Sequence, residues 1–237
     1  MKFAKFALAI LVASFVLYKI LWPSATIRYR LTLFAEDNGK PTSGSGVIEV
    51  NYSRNLLPGQ NSKIAIDVRG EAVELDFPNK GMLFALLKAG PADPASSAEW
   101  IVLHVFKFPD GSLTNSGGHG FEELNKLKGS ADVPLSRLPL LVRFRNLNDP
   151  MTVEAVDPFN LEASFGSGTK LTRASVDIVS AGVWPFNMVG LAGEPITNTI
   201  SGVLRWLPAL HGKYLGGGFD SGSAPFGLHG GDFKKPA

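Results

Sequence analysis

The stretch "KIAIDVRGEAVELDF", residues 63–77, decides how this chain folds. Apolar residues fall at even positions in its first half and at odd positions in its second half: Ile64, Ile66 and Val68, then Val73, Leu75 and Phe77. Successive side chains of a strand point to opposite faces, so one regular strand cannot bury both sets on the same side. The parity changes at Gly70-Glu71, and the pattern therefore predicts a bulge or sharp bend at Gly70.

A pair of strands is predicted upstream of this stretch. Residues 26–34, "TIRYRLTLF", and residues 46–54, "GVIEVNYSR", each alternate apolar and polar side chains, as a half-buried strand does. Asn38-Gly39 lies between them and tolerates the positive φ of a turn. We expect the two strands to pair, with "PTSGSG" at residues 41–46 making the connection looser than a tight hairpin.

Two apolar segments in the middle of the chain are read from their composition. "MLFALLKAG", residues 82–90, is apolar on both faces and fits either a central strand or a short helix. "WIVLHVFKF", residues 100–108, is rich in β-branched and aromatic residues and predicts a strand. On that strand His104 would share a face with apolar neighbours, as a packed structural histidine does.

Helical spacing is confined to short segments. Helices are expected near residues 121–128, where Gly129 can end the helix, near 158–165 and near 198–207. The predicted fold class is α+β, mostly antiparallel β-sheet with a few short helices, preceded by one N-terminal transmembrane helix. A β-sandwich with added helices is the alternative.

An apolar segment opens the chain. Phe6–Trp22 is 17 residues long and apolar apart from Ser14, Tyr18 and Lys19. A helix that spans a bilayer needs about 20 such residues, with a lower limit of about 17. The segment is therefore predicted to hold the protein in membrane lipid through residues 6–22. A cleavable signal peptide is the alternative, although cleavage after Ala25 would place a proline at position −3, where a small residue is needed.

The chain divides into three predicted parts. Residues 1–24 form the membrane anchor or signal segment, residues 25–211 a single mainly-β domain, and residues 212–237 a Gly-rich flexible tail. Lys2 and Lys5 favour a cytoplasmic N-terminus. The predicted location is a bacterial inner membrane, single-pass, with the body facing the periplasm; a secreted or periplasmic protein after signal cleavage is the alternative.

Charge and composition exclude some functions. Five basic residues and no acidic one lie in residues 1–30, so residues 31–237 hold the other 18 basic residues and all 21 acidic ones, a net charge of −3. Nucleic-acid binding needs a clustered cationic face, which this body lacks, so no nucleic-acid partner is predicted. The chain has no cysteine. Thiolate catalysis, disulfides and cysteine-ligated metals are therefore excluded.

Motifs for catalysis are sparse. His119, with Glu122 and Glu123 nearby, is the candidate for a metal or acid–base cluster. Glutamate in the first turn of a helix is also what the helix dipole favours, and this ordinary explanation is the preferred one. The "GSG" runs at residues 44–46 and 166–168 lack the spacing of phosphate-binding loops and are predicted to be ordinary loops. No cofactor or metal site is predicted.

Four segments resemble a family of uncharacterised bacterial single-pass membrane-anchored envelope proteins of unknown function. They are "GSGVIEV" at 44–50, "LPLLVRF" at 138–144, "DPMTVEAVDPFNLEASFGSGTKL" at 149–171 and "LRWLPAL" at 204–210. The resemblance covers most of residues 25–210 and implies one amino-terminal anchor and a single body. It implies no activity and no site residues.

Two functions follow from these observations. The favoured one is a non-catalytic, membrane-anchored envelope protein whose β-rich domain binds or organises another envelope component, an envelope protein or a ligand. The alternative is a hydrolase or metal-dependent enzyme with a site near His119. The two are separated by one observation, namely whether His119 lines a pocket within hydrogen-bonding reach of a carboxylate.

Overall fold

The computed structural model shows two antiparallel β-sheets and a few short helices, which confirms the mainly-β, antiparallel fold class. It describes residues 22–55, 63–109, 113, 119–182, 192–219 and 224–235. Within these ranges no helix has the length and apolar character needed to cross a bilayer. The segment predicted to do so, residues 6–22, lies outside the described residues apart from Trp22.

The larger sheet has six strands, each antiparallel to its neighbours. From one edge to the other they are β10 (Lys234–Lys235), β3 (Ile64–Glu71), β2 (Lys40–Arg54), β1 (Ser24–Asp37), β9 (Thr169–Val179) and β6 (Ser130–Asp132). The smaller sheet has four, in the order β4 (Val73–Phe77), β5 (Gly81–Ala85), β7 (Leu141–Phe144) and β8 (Val153–Ala155). The segment at residues 82–90 therefore begins as a strand.

The predicted pairing of the first two strands is confirmed, but their connection is tight. Asp37 pairs with Lys40, and the turn between them consists of Asn38 at φ 50° and Gly39 at φ 76°. The prediction of a loose connection is wrong because residues 41–46 continue β2. These residues look like a loop in the sequence because they are small and polar, yet they pair with β1 along their whole length.

The parity change in the opening stretch marks the point where the chain leaves one sheet and enters the other. β3 ends at Glu71 in the six-stranded sheet, and β4 begins at Val73 in the four-stranded one. Gly70 lies at φ 135°, a conformation that a side chain rarely adopts, so the predicted sharp bend at Gly70 is confirmed. As a result, the even-numbered apolar residues of β3 and the odd-numbered ones of β4 can both face the core.

The first core lies between the sheets, the arrangement that the sandwich alternative describes. The inward faces of β1 and β2 supply Tyr29 and Tyr52, both fully buried. Their hydroxyls donate to the carbonyls of Ala98 and Glu99, at 3.0 Å and 2.5 Å. Burial raises the pKa of both phenols well above the usual range. The pair therefore fixes residues 98–99 on the sheet.

The second core lies on the other face of the four-stranded sheet, and the C-terminal segment covers it. Leu215, Leu228 and Phe233 are completely buried there, packed with residues such as Phe84 and Phe144. The prediction of a flexible tail from residue 212 is therefore wrong for residues 212–219 and 224–235. The apolar side chains of this segment lie on turns, so they follow no regular period along the sequence. Its many glycines do not prevent the segment from packing on the core.

The described helices are short, and they match the predictions unevenly. They are α1 (Ile101–Val105), α2 (His119–Asn125), α3 (Glu162–Phe165), α4 (Ile200–Val203) and α5 (Gly230–Phe233), with a 3-10 turn at Leu207–Leu210. The predicted helices near 121–128, 158–165 and 198–207 appear as α2, α3 and α4, each shorter or shifted. The strand predicted at residues 100–108 is wrong, because α1 buries three consecutive apolar residues, Ile101–Leu103, against the first core.

A buried carboxylate holds the crossing between the sheets in place. Glu71 is 1% exposed, and its Oε1 accepts hydrogen bonds from the backbone N–H groups of Thr199 and Ile200 and from the Thr199 hydroxyl. The Lys234 ammonium lies 3.9 Å from Oε2. The same side chain thus connects β3, the start of α4 and β10. Nearby, burial and secondarily the charge of Glu71 raise the pKa of Glu74 to about 6.

The first testable prediction concerns the "GSG" run at residues 44–46, which is a strand and not the predicted loop. A Cβ on Gly44 would lie 1.8 Å from the carbonyl oxygen of Glu74, where β2 crosses β4. Gly44→Ala should therefore destabilise the protein by about 3 kcal/mol, because backbone must move to admit the methyl group. The matched control is Gly202→Ala in α4, where a Cβ meets nothing within 4 Å. The control should be neutral or stabilise by up to about 1 kcal/mol. Urea unfolding of the full chain in neutral detergent measures both, and equal stabilities would contradict the close crossing.

The second prediction follows from the raised pKa of Glu74. The folded state binds the proton more tightly than the unfolded state, whose pKa is near 4.5, so this contribution to stability is complete below pH 4.5 and is lost as pH rises through about 6. Glu74→Gln removes the dependence. Relative to the variant, the wild type should lose about 1 kcal/mol between pH 4.5 and pH 7, a value already reduced for partial solvent exposure. Unfolding at both pH values measures it, with the exposed Glu123→Gln as control. Parallel pH profiles of wild type and Glu74→Gln would rule the prediction out.

Candidate functional site

A polar cavity of about 960 Å³ lies on the face of the six-stranded sheet that points away from the first core. Alternation along the strands puts Thr26 and Arg28 of β1 on this face, while Ile27 and Tyr29 are buried on the other. Glu49 of β2 and Arg69 of β3 line the cavity beside them. The residues that follow α2 and end β9 form its rim.

An ion pair between Arg28 and Glu49 forms the floor of the cavity. The two residues are direct cross-strand partners, and the Nε and Nη2 atoms of Arg28 lie 3.0 Å and 2.6 Å from Oε2 of Glu49. Their side chains are only 7% and 9% exposed. The remaining Arg28 nitrogen, Nη1, donates to the backbone carbonyl of Glu194. Each of the three side-chain nitrogens of Arg28 thus has a partner within the protein, which gives Arg28 a structural role.

A segment of chain crosses this face beside the cavity. The Glu194 N–H donates to the Ser180 carbonyl at 2.8 Å, and the Glu194 carboxylate pairs with Arg30. Three residues on, Thr197 exchanges two hydrogen bonds with the backbone of Val47 in β2. Residues 194–197 are therefore fixed across the sheet, next to Arg28.

Arg69 differs from Arg28, because its donors are not engaged. Its side chain is 50% exposed, and its closest carboxylates, those of Glu49 and Asp67, each lie 3.8 Å away. That distance is an ion-pair contact and not a hydrogen bond. Within the part of the chain that the structure describes, the Arg69 guanidinium therefore keeps hydrogen-bond donors for a ligand in the cavity.

The rest of the described lining is mixed, with apolar residues such as Leu127 and Val179 beside polar ones, and it carries one further cation. Asn51 donates to the Thr26 hydroxyl at 2.9 Å, and Asn125 donates to the carbonyl of Ser24 at 3.1 Å. Lys128 is exposed on the rim, just past α2. The described lining holds three cations, Arg28, Arg69 and Lys128, and two anions, Glu49 and Asp67. The cavity is thus slightly positive, although residues 25–237, with 20 basic and 21 acidic residues, carry a net charge of −1.

The residues proposed from the sequence lie elsewhere, on the exposed side of α2. The His119 side chain is 83% exposed, and its Nδ1 lies 3.8 Å from Oε2 of Glu122, outside hydrogen-bonding reach. Glu123 is also exposed, on the same helix α2. None of the three lines the polar cavity. Among the described residues, no group of three histidines and carboxylates is close enough to hold a metal ion.

A second cavity, of about 730 Å³, lies beside the C-terminal segment, but its polar groups serve the fold. Nδ1 of His229 accepts from the Gly231 N–H at 3.0 Å, and Asp232 accepts from the His229 N–H at 2.8 Å, a reciprocal cap on α5. Lys234 donates to Asn198 and Ser201. These interactions anchor the segment over the second core.

The cavity residues were missed in the sequence because strand alternation shows only that a side chain points outward. The outward positions of β1 and β2 are read easily, since polar residues alternate there with buried ones. The cross-strand row of Arg28, Glu49 and Arg69 exists only through the register of three strands. Lys128 lines the same cavity from just past the end of α2, about 60 residues beyond Arg69 along the chain.

Comparisons with protein-family models, with curated proteins and with solved structures find no match for this chain.

The third prediction separates the structural ion pair from the groups available to a ligand. Glu49→Gln leaves the Arg28 guanidinium buried without its carboxylate and should destabilise the protein by about 3 kcal/mol. Asp67→Asn alters a neighbouring carboxylate that is 73% exposed and should change stability by less than about 0.5 kcal/mol. Urea unfolding of both variants measures the difference. A small effect of Glu49→Gln would show that the pair does not support the sheet.

Proposed function

We propose that this protein is a non-catalytic, membrane-anchored binding protein of the bacterial envelope. Its β-rich body binds another envelope component in the polar cavity on the six-stranded sheet. The observation that carries the proposal is the combination of a rigid, internally satisfied floor, Arg28 with Glu49, and a neighbouring guanidinium, Arg69, whose donors remain available. Preorganised charge beside unsatisfied donors is the arrangement that ligand sites use.

The size and polarity of the cavity limit the ligand. Small-molecule sites are usually about 300–1,000 Å³, and this cavity lies at the upper end of that range. Its described lining places charged and amide side chains beside a few apolar ones, so the bound group is polar, such as a headgroup or a chain end. An apolar ligand would leave Arg69 and Asp67 desolvated and unpaired.

The proposed location is the outer side of an inner membrane, with residues 6–22 in the bilayer. The first described residue, Trp22, is an exposed aromatic two positions before β1, where an interfacial belt residue would lie. Cleavage of the segment would leave the same cavity on a secreted or periplasmic protein.

The alternative function, a hydrolase or metal-dependent enzyme near His119, gains no support from the geometry. His119 stands in solvent, and its nearest carboxylate does not hydrogen-bond to it. An acid–base pair needs the two groups held within about 2.6–3.2 Å, or joined through one water.

The fourth prediction tests the binding function in cells. A photoreactive benzoylphenylalanine is placed at Asn125, on the cavity rim, or at Phe159, an exposed aromatic outside the cavity. Irradiation should give a specific adduct from position 125, in the membrane pellet and on the unprocessed chain. Position 159 should give none.

Two results would contradict the proposal. The same adducts from both positions, or none from position 125, would argue against the cavity as a binding site. Recovery of the chain only in the soluble periplasmic fraction, shortened by about 2–3 kDa, would show that the segment is cleaved and not an anchor.

A further inference from the structure

We infer that the polar cavity binds the phosphate group of a membrane-lipid headgroup, with Arg69 and Lys128 as the residues that contact it. The inference rests on the proposed function, because it takes the cavity to be the binding site, and it adds the chemical class of the ligand.

The charges of the cavity favour an anionic group. Glu49 neutralises Arg28 through two hydrogen bonds, so the cation of the floor is already compensated. In the described lining, the other charges are the cations of Arg69 and Lys128 and the exposed carboxylate of Asp67. A bound anion restores local neutrality, whereas a bound cation would face both Arg69 and Lys128.

The geometry of Arg69 favours a group with several oxygens. Its guanidinium is a planar fork of donors that matches phosphate oxygens two at a time. The guanidinium lies 3.8 Å from a carboxylate on two sides, through Nη1 to Glu49 and Nε to Asp67, and it is hydrogen-bonded to neither. A ligand oxygen can therefore approach without displacing an existing hydrogen bond. Lys128 supplies a point charge from the rim.

The position of the cavity favours a lipid over a free ion. Ser24 lines the cavity and begins β1, only two residues beyond Trp22. Two residues of extended chain span at most about 7 Å. The polar layer on each side of the hydrocarbon core is about 5–8 Å thick. With Trp22 at the membrane interface, the Ser24 side of the cavity lies at the height of the phosphate groups.

The fifth prediction uses the full chain in uncharged maltoside micelles. Two probes are titrated separately, dihexanoyl phosphatidylglycerol as the lipid and inorganic phosphate as the free ion, with ³¹P NMR and calorimetry as readouts. The lipid should bind more tightly than inorganic phosphate. Arg69→Gln and Lys128→Gln should each weaken lipid binding about tenfold or more, the loss expected for one charge-assisted hydrogen bond.

Two further variants sharpen the test. Asp67→Asn should strengthen lipid binding, because it removes the carboxylate that competes for Arg69. Arg145→Gln is the matched control, since Arg145 is an exposed arginine that pairs with Glu154 on the other sheet, and it should leave affinity unchanged. Thermal unfolding of each variant establishes that it is folded. The Arg69 side chain is 50% exposed and Lys128 is also exposed, so neither substitution alters a buried group.

The outcomes are distinct. Binding of inorganic phosphate alone, or lipid binding that Arg69→Gln and Lys128→Gln do not weaken, overturns the inference. Adducts from position 125 in cells, without phosphate binding in micelles, would overturn the headgroup assignment and leave the proposed binding function standing. Loss of both results would remove both proposals.

Discussion

The buried carboxylate of Glu71 is the interaction on which the two-sheet structure depends. The chain crosses between the sheets immediately after it, and a crossing exposes backbone groups that neither sheet can satisfy. Glu71 connects the crossing to the start of α4, because its Oε1 accepts hydrogen bonds from two backbone N–H groups and one hydroxyl there. Lys234 of β10 approaches the same carboxylate from the sheet edge. The two sheets and the C-terminal segment therefore share one buried anchor point.

This junction makes the C-terminal segment part of the fold. Without α4 and α5 over it, the second face of the four-stranded sheet would expose Phe84, Val142 and Phe144 to water. Burying a large apolar side chain contributes roughly 1.5–3 kcal/mol. The glycines in this segment permit its close contacts, such as Gly230 against the backbone of Leu210, where a Cβ would lie 2.4 Å from the carbonyl oxygen. Small residues thus mark close packing here, as Gly44 does in β2.

The cavity on the outer face has a different basis. Removing the charges of Arg28 and Glu49 from water costs free energy. A buried ion pair offsets that cost only when its hydrogen-bond geometry is good. Here both donors on one side of Arg28 meet a single carboxylate oxygen, and the third meets a backbone carbonyl. Such a floor is rigid. The floor lies beside Arg69 and accepts no hydrogen bond from it. Arg69 can therefore donate to a ligand, and this distinguishes the cavity from an ordinary charged face of a sheet.

The sequence by itself determined the local rules. The alternation in residues 26–34, the parity change at Gly70 and the turn at Asn38-Gly39 follow from the two-residue period of strands and from the φ angles that glycine and asparagine accept. It could not determine which outward residues meet, because the row Arg28, Glu49 and Arg69 depends on register between strands distant in the chain. For the same reason the only candidate cluster that the sequence offered was His119 with its local neighbours Glu122 and Glu123, and Arg69 was not among the candidates. Tertiary structure alone decided that residues 101–105 are helical and that the Gly-rich segment is packed, since both depend on which apolar surface was left to cover.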